Sequence, residues 1–379
     1  MTASRAVYLD YNATAPIRSE AAAAVAQALQ VGGNPSSVHA AGRAARNLVE
    51  TARAQVGALV GAPSRAVTFV SGGAEANALA IESAVAAGYE EILVGATEHD
   101  TVLASAAAAA GVSVAQWPVG PDGVADLAWL EARLAAGRKT LACLMLANNE
   151  TGVVQPVAEA ARMVREAGGW LHVDAVQAAG KLAIDFEALG ADTLSLSAHK
   201  IGGPQGVGAL IAGPRARLTR RIHGGGQERG LRAGTENVSG IAGFGAAARA
   251  AALDLPRLAV ESAGRDALEA VVLAAGAVVL GQGAPRLPQT LCFAMPAFGA
   301  ELQVIGLDLA GVMVSAGAAC SSGKVKASHV VTAMGRPDIA TCAIRVSGGW
   351  ATTPDDWARC AQAWSHINAR HAARQKEFA

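Results

Sequence analysis

The sequence predicts an α/β protein: a large domain whose mostly parallel, mixed sheet is flanked by helices, followed by a smaller α+β C-terminal domain. Two observations carry this. Alanine-rich, helix-like segments alternate with short β-branched runs through residues 1–215, the pattern of strands joined by helical crossovers. After Pro256 that alternation gives way to a helix, two short strands and a helical C-terminus. A chain of 379 residues is long for a single core, so two units with a boundary near 250–260 are expected.

Taken in order, strands are expected at Val67–Val70, Glu91–Val94, Leu141–Leu146, Trp170–Val173, Thr193–Ser197 and Gly208–Ile211, each a short apolar run between polar or glycine-rich turns. Amphipathic helices are expected between them, as at Ser71–Ala87 and Val157–Ala167. Beyond Pro256, short strands fall near Leu291–Phe293 and Ile344–Ser347. No internal repeat or low-complexity linker is evident.

Composition narrows the function classes. Lys plus Arg and Asp plus Glu both number 31, and no long block of like charge marks a nucleic-acid groove or a polybasic membrane anchor. A small-molecule partner is expected. The N-terminus MTASRAVYLDYNAT has no basic stretch leading into an apolar one, so no export signal is read. The apolar run Ala270–Leu280 is broken by Gly276 and too short to span a bilayer, so a soluble cytoplasmic protein is expected. Five cysteines without a CxxC pair suit a reducing compartment and argue against a disulfide framework or a structural zinc site.

Ligands of such sheets bind beyond the carboxyl ends of the strands, so the residues after each strand matter most. Val70 is followed by Ser71-Gly72-Gly73-Ala74-Glu75, a glycine turn into a helix N-terminus that suits a phosphate. Taken alone, that turn reads equally well as a plain helix cap. The next strand ends deliver Thr97-Glu98-His99, Asn148-Asn149-Glu150-Thr151-Gly152, Asp174 with Gln177, and His199-Lys200. Taken singly, His99 reads as a loop residue, Asp174 as a helix cap and Arg345 as a surface cation. Their convergence on one edge is the signal.

A phosphate cradle, a carboxylate and a lysine, without a metal cluster, match the needs of pyridoxal phosphate (PLP). The lysine forms a Schiff base, the carboxylate keeps the pyridine nitrogen protonated, and the helix N-terminus takes the phosphate. Lys200, Asp174 and Gly73-Ala74 fill these roles, with His99 against the ring face and Asn149 and Gln177 at its phenolate edge.

Longer motifs add to this: Tyr8-Leu9-Asp10-Tyr11-Asn12-Ala13-Thr14, Asn34-Pro35-Ser36-Ser37-Val38-His39, His172-Val173-Asp174-Ala175-Val176-Gln177, Ser197-Ala198-His199-Lys200, His223 to Gly230, Arg232-Ala233-Gly234-Thr235, Ala319-Cys320-Ser321-Ser322-Gly323-Lys324 and Ile344-Arg345-Val346-Ser347. In order and spacing they resemble the cysteine desulfurases of the NifS/IscS type, class V aminotransferases of the fold-type I PLP enzymes. The resemblance runs through nearly the whole chain.

It implies that Lys200 anchors PLP, Asp174 partners the pyridine nitrogen, and His99 stacks on the ring and shuttles protons. Asn149 and Gln177 would hold the ring; Ser197, His199, Gly73 and Ala74 would hold the phosphate. Thr235 would reach the phosphate of the other subunit's cofactor, implying a homodimer, and Arg345, with Asn149 nearby, would take the substrate carboxylate. Residues 15–255 are expected to form the PLP-binding domain, and 1–14 with 256–379 the small domain that carries Cys320.

Cys320 marks the functional distinction, because an aminotransferase needs the lysine but no cysteine. Cys143, Cys292 and Cys342 read as buried small hydrophobes. Cys320 lies in a small-residue, basic stretch that suits an exposed, reactive thiolate. The resemblance implies that its persulfide passes to an acceptor such as an iron–sulfur scaffold, with no resident metal and at most a transient cluster contact at Cys320. Two departures stand out: Ala74 where the family has threonine, and Gly348 where it has a bulky residue. Selenocysteine lyases and other class V aminotransferases or lyases remain the alternatives.

Overall fold

The computed structural model describes residues 6–258, 260–317 and 327–377. A short strand β1 (Val7–Tyr8) opens it. Then come β2 (Val67–Val70), β3 (Glu91–Gly95), β4 (Ser113–Trp117), β5 (Thr140–Cys143), β6 (Trp170–Asp174), β7 (Thr193–Ser197) and β8 (Gly208–Ala212). These seven form one sheet in the order β2-β8-β7-β6-β5-β3-β4. Strands β3 to β7 pair in parallel, whereas β8 runs antiparallel to both β7 and β2. The reversal follows from chain length: residues 198–207 are too few for a crossover, so β8 must turn straight back along β7.

Helices cover the sheet. Gly73–Ala86 and Asp100–Ala108 follow β2 and β3, and Val157–Glu166 leads into β6. Because helices lie on its faces, strands β3, β5, β6 and β7, and the edge strand β2 as well, are buried along their whole length, which suits the largely apolar sequences of β2, β3 and β5. Edge strand β4 alternates partly buried and exposed residues and went unread in the sequence. Strand β5 ends at Cys143, earlier than the expected Leu146. Even so, the backbone continues beside β6, with Leu144 and Leu146 N–H donating to the carbonyls of His172 and Asp174.

The longest apolar helix is not the 270–280 run but Val238–Leu258, which extends through Pro256. Among the described residues it is the one helix long and apolar enough to cross a membrane. It is mostly buried, packed on the helices Ser19–Val31 and Ala40–Leu59.

Further along lie β9 (Val278–Val279), β10 (Thr290–Ala294), β11 (Val312–Met313), β12 (Ser315–Ala316) and β13 (Ala343–Ser347). Four of them make an antiparallel sheet, β12-β13-β10-β9, and β11 pairs in parallel with β1. A separate apolar core forms here: Val7 and Leu9 join Leu291, Phe293, Ile344 and Trp364. The N-terminal segment is thereby tied to the C-terminal sheet, so residues 10–14 leave β1 directly over the carboxyl ends of the central strands.

Candidate active site

The carboxyl ends of β2, β3, β5, β6 and β7 open on one cavity of about 470 Å³. Gly73, Ala74, His99, Asn149, Asp174, Gln177, Ser197, His199 and Lys200 all line it. Thr235 does not; it is exposed in the segment after residue 230. Arg345 is buried on β13 and also lies outside the lining. Cys320 lies outside the described residues.

The turn at Gly72 starts the helix Gly73–Ala86, whose first N–H groups have no intrahelical acceptor and face the cavity mouth. The approach is close: a Cβ on Gly208 of β8 would lie 2.7 Å from the Gly72 backbone, so only glycine lets the turn sit this low on the sheet. Ser197 ends β7 beside it, and His199 Nδ1 meets Thr14 Oγ1 at 3.1 Å. Burial, then the Lys200 charge, lowers the His199 pKa to about 4.

Lys200 leaves the short turn after β7 and donates from Nζ to the carbonyls of Asn12 (2.6 Å) and Ala13 (2.9 Å). Asn12 is a junction. Its carbonyl also accepts from Gln177 Nε2, its Oδ1 accepts from Lys181 Nζ at 2.7 Å, and its Nδ2 donates to the Asn149 carbonyl and Thr290 Oγ1. Lys181 also donates to Gln177 Oε1 at 3.0 Å, which fixes that amide with its NH2 group outward and one hydrogen in reserve. Burial, then the Lys200 charge, holds the Lys181 ammonium well below its usual pKa.

Asp174 closes β6. Its Oδ2 accepts from Asn77 Nδ2 at 2.8 Å and its Oδ1 from the Val176 N–H at 3.0 Å. His99 caps the helix Asp100–Ala108, with Nδ1 accepting from the Thr101 N–H. Its proton in the neutral form is therefore on Nε2. Glu98 beside it is buried against the Met145 N–H, and burial, then the Asp174 charge, pushes its carboxyl well above the usual range.

Arg345 is held by the Asp10 carboxylate (Nη2 to Oδ1, 2.7 Å) and by the Asn149 carbonyl (Nη1, 3.1 Å). Its Nε and the Asn149 Oδ1 are both buried without a partner. Unsatisfied buried donors and acceptors are rare in finished cores, and these two mark where a ligand carboxylate or hydroxyl would be accommodated. At Gly348 a Cβ would lie 2.8 Å from Trp357 Cζ2, so the indole occupies the volume that a bulkier residue there would need.

The family described as aminotransferase class-V matches residues 7–359. The chain belongs to this family. Within it the relatives are cysteine desulfurases. That of Cereibacter sphaeroides is 44% identical over 92% of each chain, and that of Frankia sp. (strain EuIK1) is 43% identical over 92% of this chain and 88% of its own. The NifS-like protein from Rickettsia africae ESF-5 superposes with a TM-score of 0.85 at 33% identity, over 96% of this chain and 99% of that one.

Several residues of this class V aminotransferase site went unread in the sequence. Asn77 is buried in a helix interior, but it stands four positions after Gly73 and so on the same helical face as the cradle, a spacing that could have revealed it. Asp10 and Asn12 belong to the opening motif, yet nothing local signals that they meet Arg345 and the two lysines. Cys143, Cys292 and Cys342 are buried, as read, and so is Cys360. Burial pushes the Cys360 thiol up to about 12 and those of Cys143 and Cys292 higher than an ordinary thiol.

Proposed function

We propose that this chain is a PLP-dependent cysteine desulfurase that moves sulfur from L-cysteine to Cys320 and on to an acceptor protein. The observation that carries this is a single cavity where a lysine amine, a buried carboxylate and a helix N-terminus converge. The donor set fits PLP: the free N–H groups at Gly73-Ala74, with Ser197 and His199, suit a phosphate, and the spare Gln177 hydrogen suits the ring's phenolate oxygen. The names of the relatives point to the same activity.

When bound, PLP supplies an electron sink that acidifies the substrate Cα–H and weakens its Cβ–S bond. Lys200 Nζ would anchor the cofactor and, when free, would move the substrate Cα proton. Asp174 would hold a proton on the ring nitrogen, and His99 Nε2 would face the ring and take the substrate thiol proton. Arg345 takes the substrate carboxylate in exchange for part of its contact with Asp10, a task suited to a planar guanidinium. The Cys320 thiolate attacks the substrate sulfur. The substrate C–S bond breaks as an S–S bond forms, carbon takes the electron pair and a proton to give L-alanine, and Cys320 keeps the sulfur as a persulfide.

The same reading makes Thr235 a phosphate ligand for the other subunit of a homodimer, the enzyme cytoplasmic, and an iron–sulfur scaffold or thiolation protein the acceptor. The test is L-alanine release and persulfide formation from L-cysteine. The parent protein should give both, and Cys320→Ala should give neither while keeping the visible absorbance of bound PLP. Full alanine release by Cys320→Ala contradicts the persulfide role.

A further inference from the structure

Asn77 uses both amide hydrogens and its amide oxygen inside the protein, and its partners run in two directions. On the carboxylate side, Nδ2 donates to Asp174 Oδ2 at 2.8 Å; its other hydrogen goes to Thr101 Oγ1 at 3.0 Å. Thr101 Oγ1 in turn lies 2.9 Å from His99 Nδ1. On the far side, Asn77 Oδ1 meets His172 Nε2 at 3.0 Å, and His172 Nδ1 meets Thr193 Oγ1 at 3.0 Å. Trp170 Nε1 donates to that same Thr193 oxygen at 3.0 Å.

Chemistry fixes the direction of each link. An amide oxygen only accepts, so His172 carries its proton on Nε2, and its Nδ1 accepts from the Thr193 hydroxyl, whose oxygen accepts from Trp170. A carboxylate only accepts, so the Asn77 NH2 faces Asp174. Thr101, already accepting from Asn77, donates its hydroxyl to His99 Nδ1. The imidazole of His172 is fully buried and neutral, since burial lowers its pKa to about 4 despite the nearby Asp174 charge. The chain therefore delivers donors to Asp174 and His99 without bringing a cation against either.

We propose that Asn77, oriented from behind by His172 and Thr193, is the positioning residue that sets Asp174 and His99 together, the one toward the ring nitrogen and the other toward the ring face. This rests on the PLP reading above. Asn77 touches neither ring nor substrate in this assignment; it acts through its two partners. Its loss should disturb the protonation of the bound ring and the chemical step together, and leave substrate capture at Arg345 almost unchanged.

The near-isosteric Asn77→Asp variant is the sharpest probe, since it keeps the acceptor toward His172 but removes both donors and sets a second carboxylate against Asp174. With PLP bound, it should shift the pH midpoint of the visible cofactor band by more than about one unit. Its kcat should fall roughly 100-fold with KM changed little. Thr101→Val should lower kcat but leave the pH midpoint in place, and His172→Gln, which keeps a donor to Asn77, should hold both within a few fold where His172→Phe does not. Circular dichroism and melting temperature separate these effects from misfolding. Parent-like spectrum, midpoint and kcat in Asn77→Asp overturn the proposal; failure of the parent protein to bind PLP overturns the cofactor reading instead.

Discussion

The Asp174 wall of the cavity and the Arg345 cluster near it, proposed above as the ring-nitrogen side and the substrate-carboxylate side, are built in opposite ways. Asp174, His172 and Thr193 come from adjacent strands of one sheet, with Asn77 on the helix above, and every polar atom in that chain is paired. Arg345, Asp10 and Asn149 come from three remote segments joined across two sheets, and there Arg345 Nε and Asn149 Oδ1 stay unpaired. A permanent cofactor favours a finished, rigid wall, whereas a substrate that arrives and leaves favours groups still lacking a partner. Binding free energy is thus held in reserve around Arg345 and Asn149 rather than around Asp174.

The comparison can be broken first on the carboxylate side. Hydrogen bonds between charged groups contribute about 1.5–3 kcal/mol each, so Arg345→Ala should lower kcat/KM for L-cysteine roughly 100-fold, mostly through KM. Steady-state kinetics with L-cysteine check this. A kcat loss at unchanged KM would show instead that the arginine works on the chemical step.

A smaller effect sharpens the ring side. The folded His172 titrates near pH 4 against about 6.5 when unfolded, so below pH 6.5 the unfolded chain binds a proton that the native protein refuses. Stability is therefore lost as pH falls from 6.5 toward 4, by about 1.6 kcal/mol between pH 6.5 and pH 5 from this residue alone. Urea unfolding at these two pH values should show His172→Gln losing less stability than the parent by about that amount. Equal losses would mean that His172 is not neutral in the fold.

How much was legible in the sequence follows the same division. Strand ends of the central sheet were readable because buried strands leave short, largely apolar runs, and each is followed within a few residues by polar side chains or a glycine turn. The edge position of β4 was not, since strand order is decided by long-range pairing rather than local pattern, whereas the reversal of β8 follows from the short link of residues 198–207. Lys200, Asp174 and His99 were found at strand ends; Asn77 was hidden because a polar residue inside a helix looks like a solvated face. Asp10 and Arg345 are 335 positions apart, and no local signal foretells their ion pair.

The central claim is that this cavity holds PLP covalently on Lys200. The visible absorbance of the purified protein with PLP added, compared with Lys200→Ala, tests it most directly. The account predicts a pH-dependent visible band in the parent that persists through desalting, and in the variant only loosely held cofactor that desalting removes, with alanine release lost. A stable band of equal intensity in Lys200→Ala, or none in the parent, would contradict it.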